Sequence, residues 1–268
     1  MANKVILDQD LIFKYGKLDY LQTTISESTL KFSNATEFND SFENKYQLRI
    51  SRSRRPIDIY DFGRARSVYE EIKEHLERTK ICCFSKDPTL PLMWAHYAAN
   101  HTGVCYCFKQ GDLFDSKSYK SDQVRYSSVP PKIYVIENET RKFSLKKQIF
   151  DTILTKSSVW QYEQELRFFL ESKDSIHHYD RGALEAVILG CKMDNESIAK
   201  TTEFIREHNK KKGASVSVYH AVESEDFYEL KIFEKNIKKD RFYSDFFDEV
   251  PPLVMPEQIG SDESAMVD

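Results

Sequence analysis

The segment 81–108, "ICCFSKDPTLPLMWAHYAANHTGVCYCF", limits the possible folds more than any other stretch of the chain. Its two apolar ends, Ile81 to Ser85 and Val104 to Phe108, are short and bounded by turn residues, so each reads as a buried strand. Between them a Pro-punctuated turn leads into a short helix from about Pro91, with proline favoured in the first turn and Gly103 as its stop. Strands bracketing a short helix require a sheet at the core.

The rest of the chain repeats this alternation. Residues 11–33 read as strand, helix and a second strand over Leu30 to Ser33. The loop "NATEFNDSFEN" follows, rich in side chains that bond their own backbone. The Arg-rich stretch 49–66 reads as a basic loop before a helix marked by Val68, Ile72 and Leu76. It is either a solvated charged surface or a patch that contacts phosphates. Residues 143–156 read as a helix with Leu145, Ile149 and Ile153. "LEAVILG" then reads as a buried strand, "NESIAKTTEFIREHNKKKG" as a helix with a terminal glycine, and "ASVSVYHAV" as an alternating strand. The expected fold is α+β: a single domain over residues 1–240 with a mixed or antiparallel β core flanked by helices. The basic, then acidic-aromatic and Pro-containing residues 241–268 read as a peripheral or partly disordered tail.

The 268 residues are 40% apolar and 31% charged, enough for a substantial core, and the formal charge of −4 argues against binding nucleic acid by overall attraction. A local basic groove stays compatible with that charge. The start of the chain lacks signal-peptide features, and no stretch approaches the roughly 18 apolar residues that cross a bilayer. Five cysteines without framework spacing fit reduced thiols, so a cytoplasmic protein without membrane association is expected.

The sequence "WQYEQELRFF", residues 160–169, holds the most informative charges. Read as a strand, it places Glu163, Glu165 and Arg167 on one face. If that face is buried, the two carboxylates repel unless Arg167 or a ligand cation compensates them, and such coupled groups are candidate catalytic residues. The alternative is an edge strand with a solvated charged face. A Glu-x-Glu strand suits glycosyl transfer from a dinucleotide, where a carboxylate bonds a ribose hydroxyl, or a magnesium or manganese site for phosphodiester cleavage. The metal route needs further acids; Asp40 and Asp87 are available but lack a supporting strand signature.

In "MWAHYAANHTG", the residues Trp94, His96, Tyr97 and His101 crowd about two helical turns. They either stack on a planar ligand, with His96 or Tyr97 supplying a hydrogen bond, or pack a core. Cys82, Cys83, Cys105 and Cys107 lack the Cys-x2-Cys spacing of zinc sites and read equally well as small hydrophobes on adjacent strands, so no metal site is expected. A cysteine nucleophile served by His96 or His101 is a further alternative. Neither a dinucleotide-binding G-x-G-x-x-G nor a P-loop pattern occurs.

Five pieces in order, "FKY" (13–15), "LKFSNATEFNDSFE" (30–43), "CFS" (83–85), "MWAHYAANHTGVCYCF" (93–108) and "WQYEQELR" (160–167), resemble a widespread bacterial family catalogued as a domain of unknown function. The same layout resembles, remotely, the ADP-ribosyltransferase superfamily, especially its toxins that modify nucleic acid. That resemblance implies an ADP-ribosyltransferase-like fold with NAD as co-substrate. Lys14 or Tyr15 would contact the NAD ribose, Ser85 would support the nicotinamide ribose, and Tyr97 or His96 would stack on the nicotinamide. Glu165, or its neighbour Glu163, would hold the ribose hydroxyl as the glycosidic bond breaks. The superfamily usually has Arg or His where this chain has Lys14 and Tyr15. The implied activity is mono-ADP-ribosylation of nucleic acid, RNA in preference to DNA, by a toxin or phage-defence effector that a neutralising antitoxin-type protein would restrain. The alternatives are a metal-dependent nuclease and a non-catalytic module that binds a nucleotide or peptide.

Overall fold

The computed structural model describes residues 10–50, 59–135 and 141–234, which form a mixed α/β unit around one large sheet. The aromatic run at the start forms β1 (Leu11–Gly16), and helix α1 (Leu21–Glu27) follows, burying Leu21 and Ile25. Ser28 ends α1 in the left-handed region (φ 54°), and the chain turns at once into β2 (Thr29–Lys31). The single strand expected over Leu30 to Ser33 is two strands, because β3 (Ser33–Asn34) leaves to pair elsewhere.

Arg49 of the expected basic loop lies in β4 (Gln47–Ile50), while Arg64 and Arg66 belong to α2 (Ile59–Arg78); residues 51–58 fall outside the described residues. Helix α2 is longer than expected but buries Val68, Ile72 and Leu76 as their spacing requires. The segment 81–108 folds in the order read, into β5 (Thr79–Ser85), α3 (Pro91–Tyr97) and β6 (Val104–Lys109), but the helix ends well before Gly103, its expected stop. Helix α3 stops at Tyr97, so His101 is not on it; Ala99, Asn100 and His101 all have positive φ. A Cβ at Gly103 would stand 2.4 Å from the Gly16 carbonyl, so only glycine lets this loop close against β1.

Strands β7 (Lys120–Gln123), β8 (Arg125–Ser127) and β9 (Lys132–Val135) precede α4 (Arg141–Ile153). That helix ends three residues earlier than expected because β10 (Thr155–Ser157) pairs in parallel with β8. Strands β11 (Glu165–Glu171), β12 (Ile176–His178) and β13 (Leu184–Leu189) lead to α5 (Asn195–Lys212). Asp194 caps α5 by accepting from the Ser197 N–H, and Gly213 ends it at φ 65°. Strand β14 (Ser217–Glu223) is followed by β15 (Leu230–Glu234), a strand absent from the sequence reading because its alternating "LKIFE" looks like the start of the basic tail. The chain divides after Glu234, and residues 241–268 lie outside the described residues.

The large sheet runs β15-β14-β13-β6-β1-β5-β11-β7, with β3 also against β5. Only β13 and β14, joined through α5, are parallel; the sheet is therefore mixed, as expected. The central places of β5 and β6 explain why both read as apolar on two faces. One face carries Ile12, Phe84, Phe108 and Val187 beneath α1 and α5. The other is covered by two separate clusters, one with Phe13, Trp94 and Ile188 under α3, the other with Ile72, Ile149 and Phe169 under α2 and α4. Ser85 of β5 and Glu165 of β11 are in register with Phe13 and share its face. Among the described residues no helix is long and apolar enough to cross a membrane.

Candidate functional site

The strand expected over 160–169 begins only at Glu165. Ser158 to Glu163 form a 3-10 turn, and Gln164 takes a left-handed conformation (φ 46°) that a non-glycine residue adopts only when its surroundings demand it. Those surroundings are the end of β5. The Ser85 hydroxyl donates to the Glu163 carbonyl at 2.7 Å, and the Lys86 N–H donates to the Gln164 carbonyl at 3.2 Å. The two glutamates therefore converge through a turn rather than through the alternation of one strand. Register places Phe13, Ser85 and Glu165 side by side across β1, β5 and β11.

The charged face points inward: Glu163 is 2% exposed, Glu165 6% and Arg167 0%. Arg167 grips Glu165 with two bonds, Nε to Oε1 and Nη2 to Oε2, each 3.0 Å, and Nη1 donates to the Ile153 carbonyl. Lys156, equally buried, donates to Glu163 Oε2 and lies 3.4 Å from Glu165 Oε2. The other Glu163 oxygen accepts from the Tyr97 hydroxyl at 2.8 Å. Glu43 Oε1 stands 2.8 Å from Arg167 Nη2 without hydrogen-bond alignment, so this ion pair adds charge compensation but satisfies neither Glu43 oxygen.

These contacts fix the charges. Burial alone would raise the Glu165 carboxyl, but Arg167 and Lys156 outweigh it and bring it down to about 2. Burial would lower Lys156 and Arg167, yet the neighbouring glutamates keep both above their ordinary values. Glu43 goes the other way: burial prevails over Arg167 and raises it. Burial, reinforced by Glu163, raises Tyr97, which stays a hydroxyl donor. Tyr126 accepts from the Glu165 N–H at 2.8 Å and is pushed up to about 12, chiefly by burial.

A cavity of about 190 Å³ opens onto this network, lined by Lys14, Tyr15, Ser85 and Tyr97 together with both glutamates and Lys156. Tyr15 shares the face of Glu165, but its hydroxyl donates to the Asp87 carbonyl at 2.8 Å and its ring packs edge-on against Trp94 at 5.3 Å. It buttresses α3. Lys14 alternates to the opposite face, yet β1 and β5 share a single paired position, and where they part its Nζ donates to the Cys83 carbonyl at 3.1 Å. His96 is exposed and does not line the cavity; its ring lies against Trp160 at 6.3 Å. The four cysteines do not sit on adjacent strands, since β1 separates β5 from β6. Among the described residues no three His, Cys, Asp or Glu side chains are grouped to hold a metal ion.

Lys156, Glu43 and Tyr126 belong to the site but not to the sequence reading. A buried pair of carboxylates with one arginine implies a second cation, and Lys156 is the nearest lysine in sequence. Reading it as the end of a helix hid it, whereas its pairing opposite Tyr126 in the β10–β8 ladder turns it inward. Glu43 gave no signal beyond its place in a polar loop.

A family described as a protein of unknown function, DUF2971, matches residues 93–168, from α3 through most of the β11 charge cluster. No curated protein and no solved structure matches the chain.

Proposed function

We propose that this cavity binds the nicotinamide–ribose end of NAD and that the protein is a mono-ADP-ribosyltransferase acting on nucleic acid, as a toxin or defence effector. One observation carries the reading: β1, β5 and the turn into β11 bring Lys14, Ser85, Glu163 and Glu165 to the same cavity. Its chemistry suits such a ligand. An ammonium, a carboxylate and a cavity-lining phenol stand against an apolar wall of Phe38, Phe84 and Met93. About 190 Å³ is below the roughly 300–1,000 Å³ of pockets that enclose whole drug-sized ligands, so the cavity seats the reacting end and leaves the adenosine outside.

Bound there, the dinucleotide supplies a nicotinamide leaving group and an electrophilic ribose carbon. Glu163 is the carboxylate that meets the ribose: its Oε1 is held by the Tyr97 hydroxyl alone, and a ligand hydroxyl can take that place. Glu165, gripped through both oxygens by Arg167, holds Lys156 and the local charge in position. With Glu165 matched by Arg167, the Glu163 carboxylate is the group that favours the positive charge growing on the sugar as the glycosidic bond breaks. Ser85 fixes the turn that aims Glu163, and Lys14, its Nζ on the Cys83 carbonyl, lines the cavity as the ribose contact. A neutralising protein partner is part of this reading, with the tail after residue 240 as its expected contact. Incubation with labelled NAD and RNA, DNA or protein tests it: nicotinamide release and acceptor labelling are expected from the wild type. Their absence under all conditions rejects the enzyme.

A further inference from the structure

A second cavity, of about 250 Å³, lies against the first, and Lys156 lines both. The loop over residues 38–45 separates them. Phe38 and Asn39 face the first cavity, Phe42 and Lys45 face the second, and Glu43 between them is buried against Arg167. The loop is preformed: Asp40 Oδ1 accepts from the Phe42 N–H at 2.9 Å, and the Asn44 amide donates to the Ala35 carbonyl.

Three features define what the second cavity selects. The Phe42 ring is 60% exposed, unusual for a phenyl group with no polar handle. Lys45 places its Nζ over that ring, 4.7 Å from its centroid, and meets no carboxylate among the described residues. Ser128 and Ser157 line the remaining wall beside Thr155, whose hydroxyl donates to the Asp151 carbonyl. An exposed ring with an ammonium over one face suits a planar base stacked on the other face and joined to a phosphate, and hydroxyls in the wall suit a ribose 2′-hydroxyl.

We propose that this second cavity is the acceptor site and takes an unpaired nucleotide of single-stranded RNA, with its base on Phe42 and its phosphate on Lys45. As an acceptor site it rests on the donor reading above, since Lys156 is what joins the two cavities. None of the described residues of the Arg-rich stretch 49–66 lines this cavity.

The test uses the full chain and a fluorescently labelled single-stranded RNA oligonucleotide, with DNA of the same sequence and an unstructured peptide as the other probes. Binding is followed by anisotropy without NAD. RNA is expected to bind more tightly than DNA, and Phe42→Ala to weaken it about tenfold, the loss of one base–aromatic stack. Lys45→Gln is expected to weaken it and to flatten its salt dependence by about one phosphate contact. Phe227→Ala, which removes a similarly exposed ring outside this cavity, is the control for nonspecific loss. RNA binding that survives both substitutions, DNA binding as tight as RNA, or displacement of RNA by the peptide each overturns the proposal. Nicotinamide release, measured on the same samples without oligonucleotide, reads the first cavity separately. If it is absent from the wild type, the donor reading falls while oligonucleotide binding still decides the second cavity.

Discussion

Arg167→Met removes the cation on which the buried network depends. Arg167 is fully buried and satisfies Glu165 through two 3.0 Å bonds, the Ile153 carbonyl through a third, and compensates Glu43 at 2.8 Å. Breaking a buried pair from one side costs about 3–5 kcal/mol because it strands a desolvated charge. An orphaned buried carbonyl adds about 1–3 kcal/mol. The sum, about 4–8 kcal/mol, rivals the whole stability of an ordinary domain, about 5–15 kcal/mol. Adding Glu165→Gln removes the stranded charge, so the double variant should be at least about 2 kcal/mol more stable than Arg167→Met alone. Urea unfolding followed by circular dichroism, fitted with a shared slope, measures both. A loss under about 1 kcal/mol for Arg167→Met, or strictly additive effects, would refute the view that these charges support one another.

The same network predicts an acid limb. The Glu165 carboxyl is held at about 2 in the folded chain, below its unfolded value, so its contribution is present at neutral pH and is lost as pH falls from about 5 towards about 2. A shift of that size is worth about 3 kcal/mol. Glu43, raised by burial, has the opposite sign and is relieved on acidification, which makes the limb shallower. Urea midpoints at pH 7 and pH 3 should fall steeply for the wild type and less for Glu165→Gln; parallel falls would remove Glu165 as the source. Tyr97→Phe deletes a 2.8 Å hydrogen bond to a charged acceptor and should lower stability by about 1.5–3 kcal/mol, read by the same unfolding assay.

Much of this architecture was legible from periodicity. The strand, helix, strand order of 81–108, the apolar spacing of α2 and the capped α5 all follow local rules, and the structure contains them. The failures have a common physical origin in long-range contacts. Gln164 adopts a left-handed turn because β5, 78 residues away along the Ser85–Glu163 bond, holds it there, and no local pattern announces that. Likewise, Lys156 reads as the end of a helix until its ladder with β8 turns it inward. The need for compensating charge beside Glu163 and Glu165 was readable; Lys156, which meets it together with Arg167, and Glu43, which adds a third carboxylate, come from a strand and a loop that only the fold brings together.

In the proposed function, Glu163 faces the sugar as the glycosidic bond of NAD breaks. Nicotinamide release from NAD by the wild type and by Glu163→Gln tests it most directly. Measurable release is expected from the wild type and a drop of about 10²–10³-fold from the variant, the range for losing one electrostatic contact to a transition state. A folded wild type that releases no nicotinamide, or a Glu163→Gln variant that releases it at the wild-type rate, would contradict the claim.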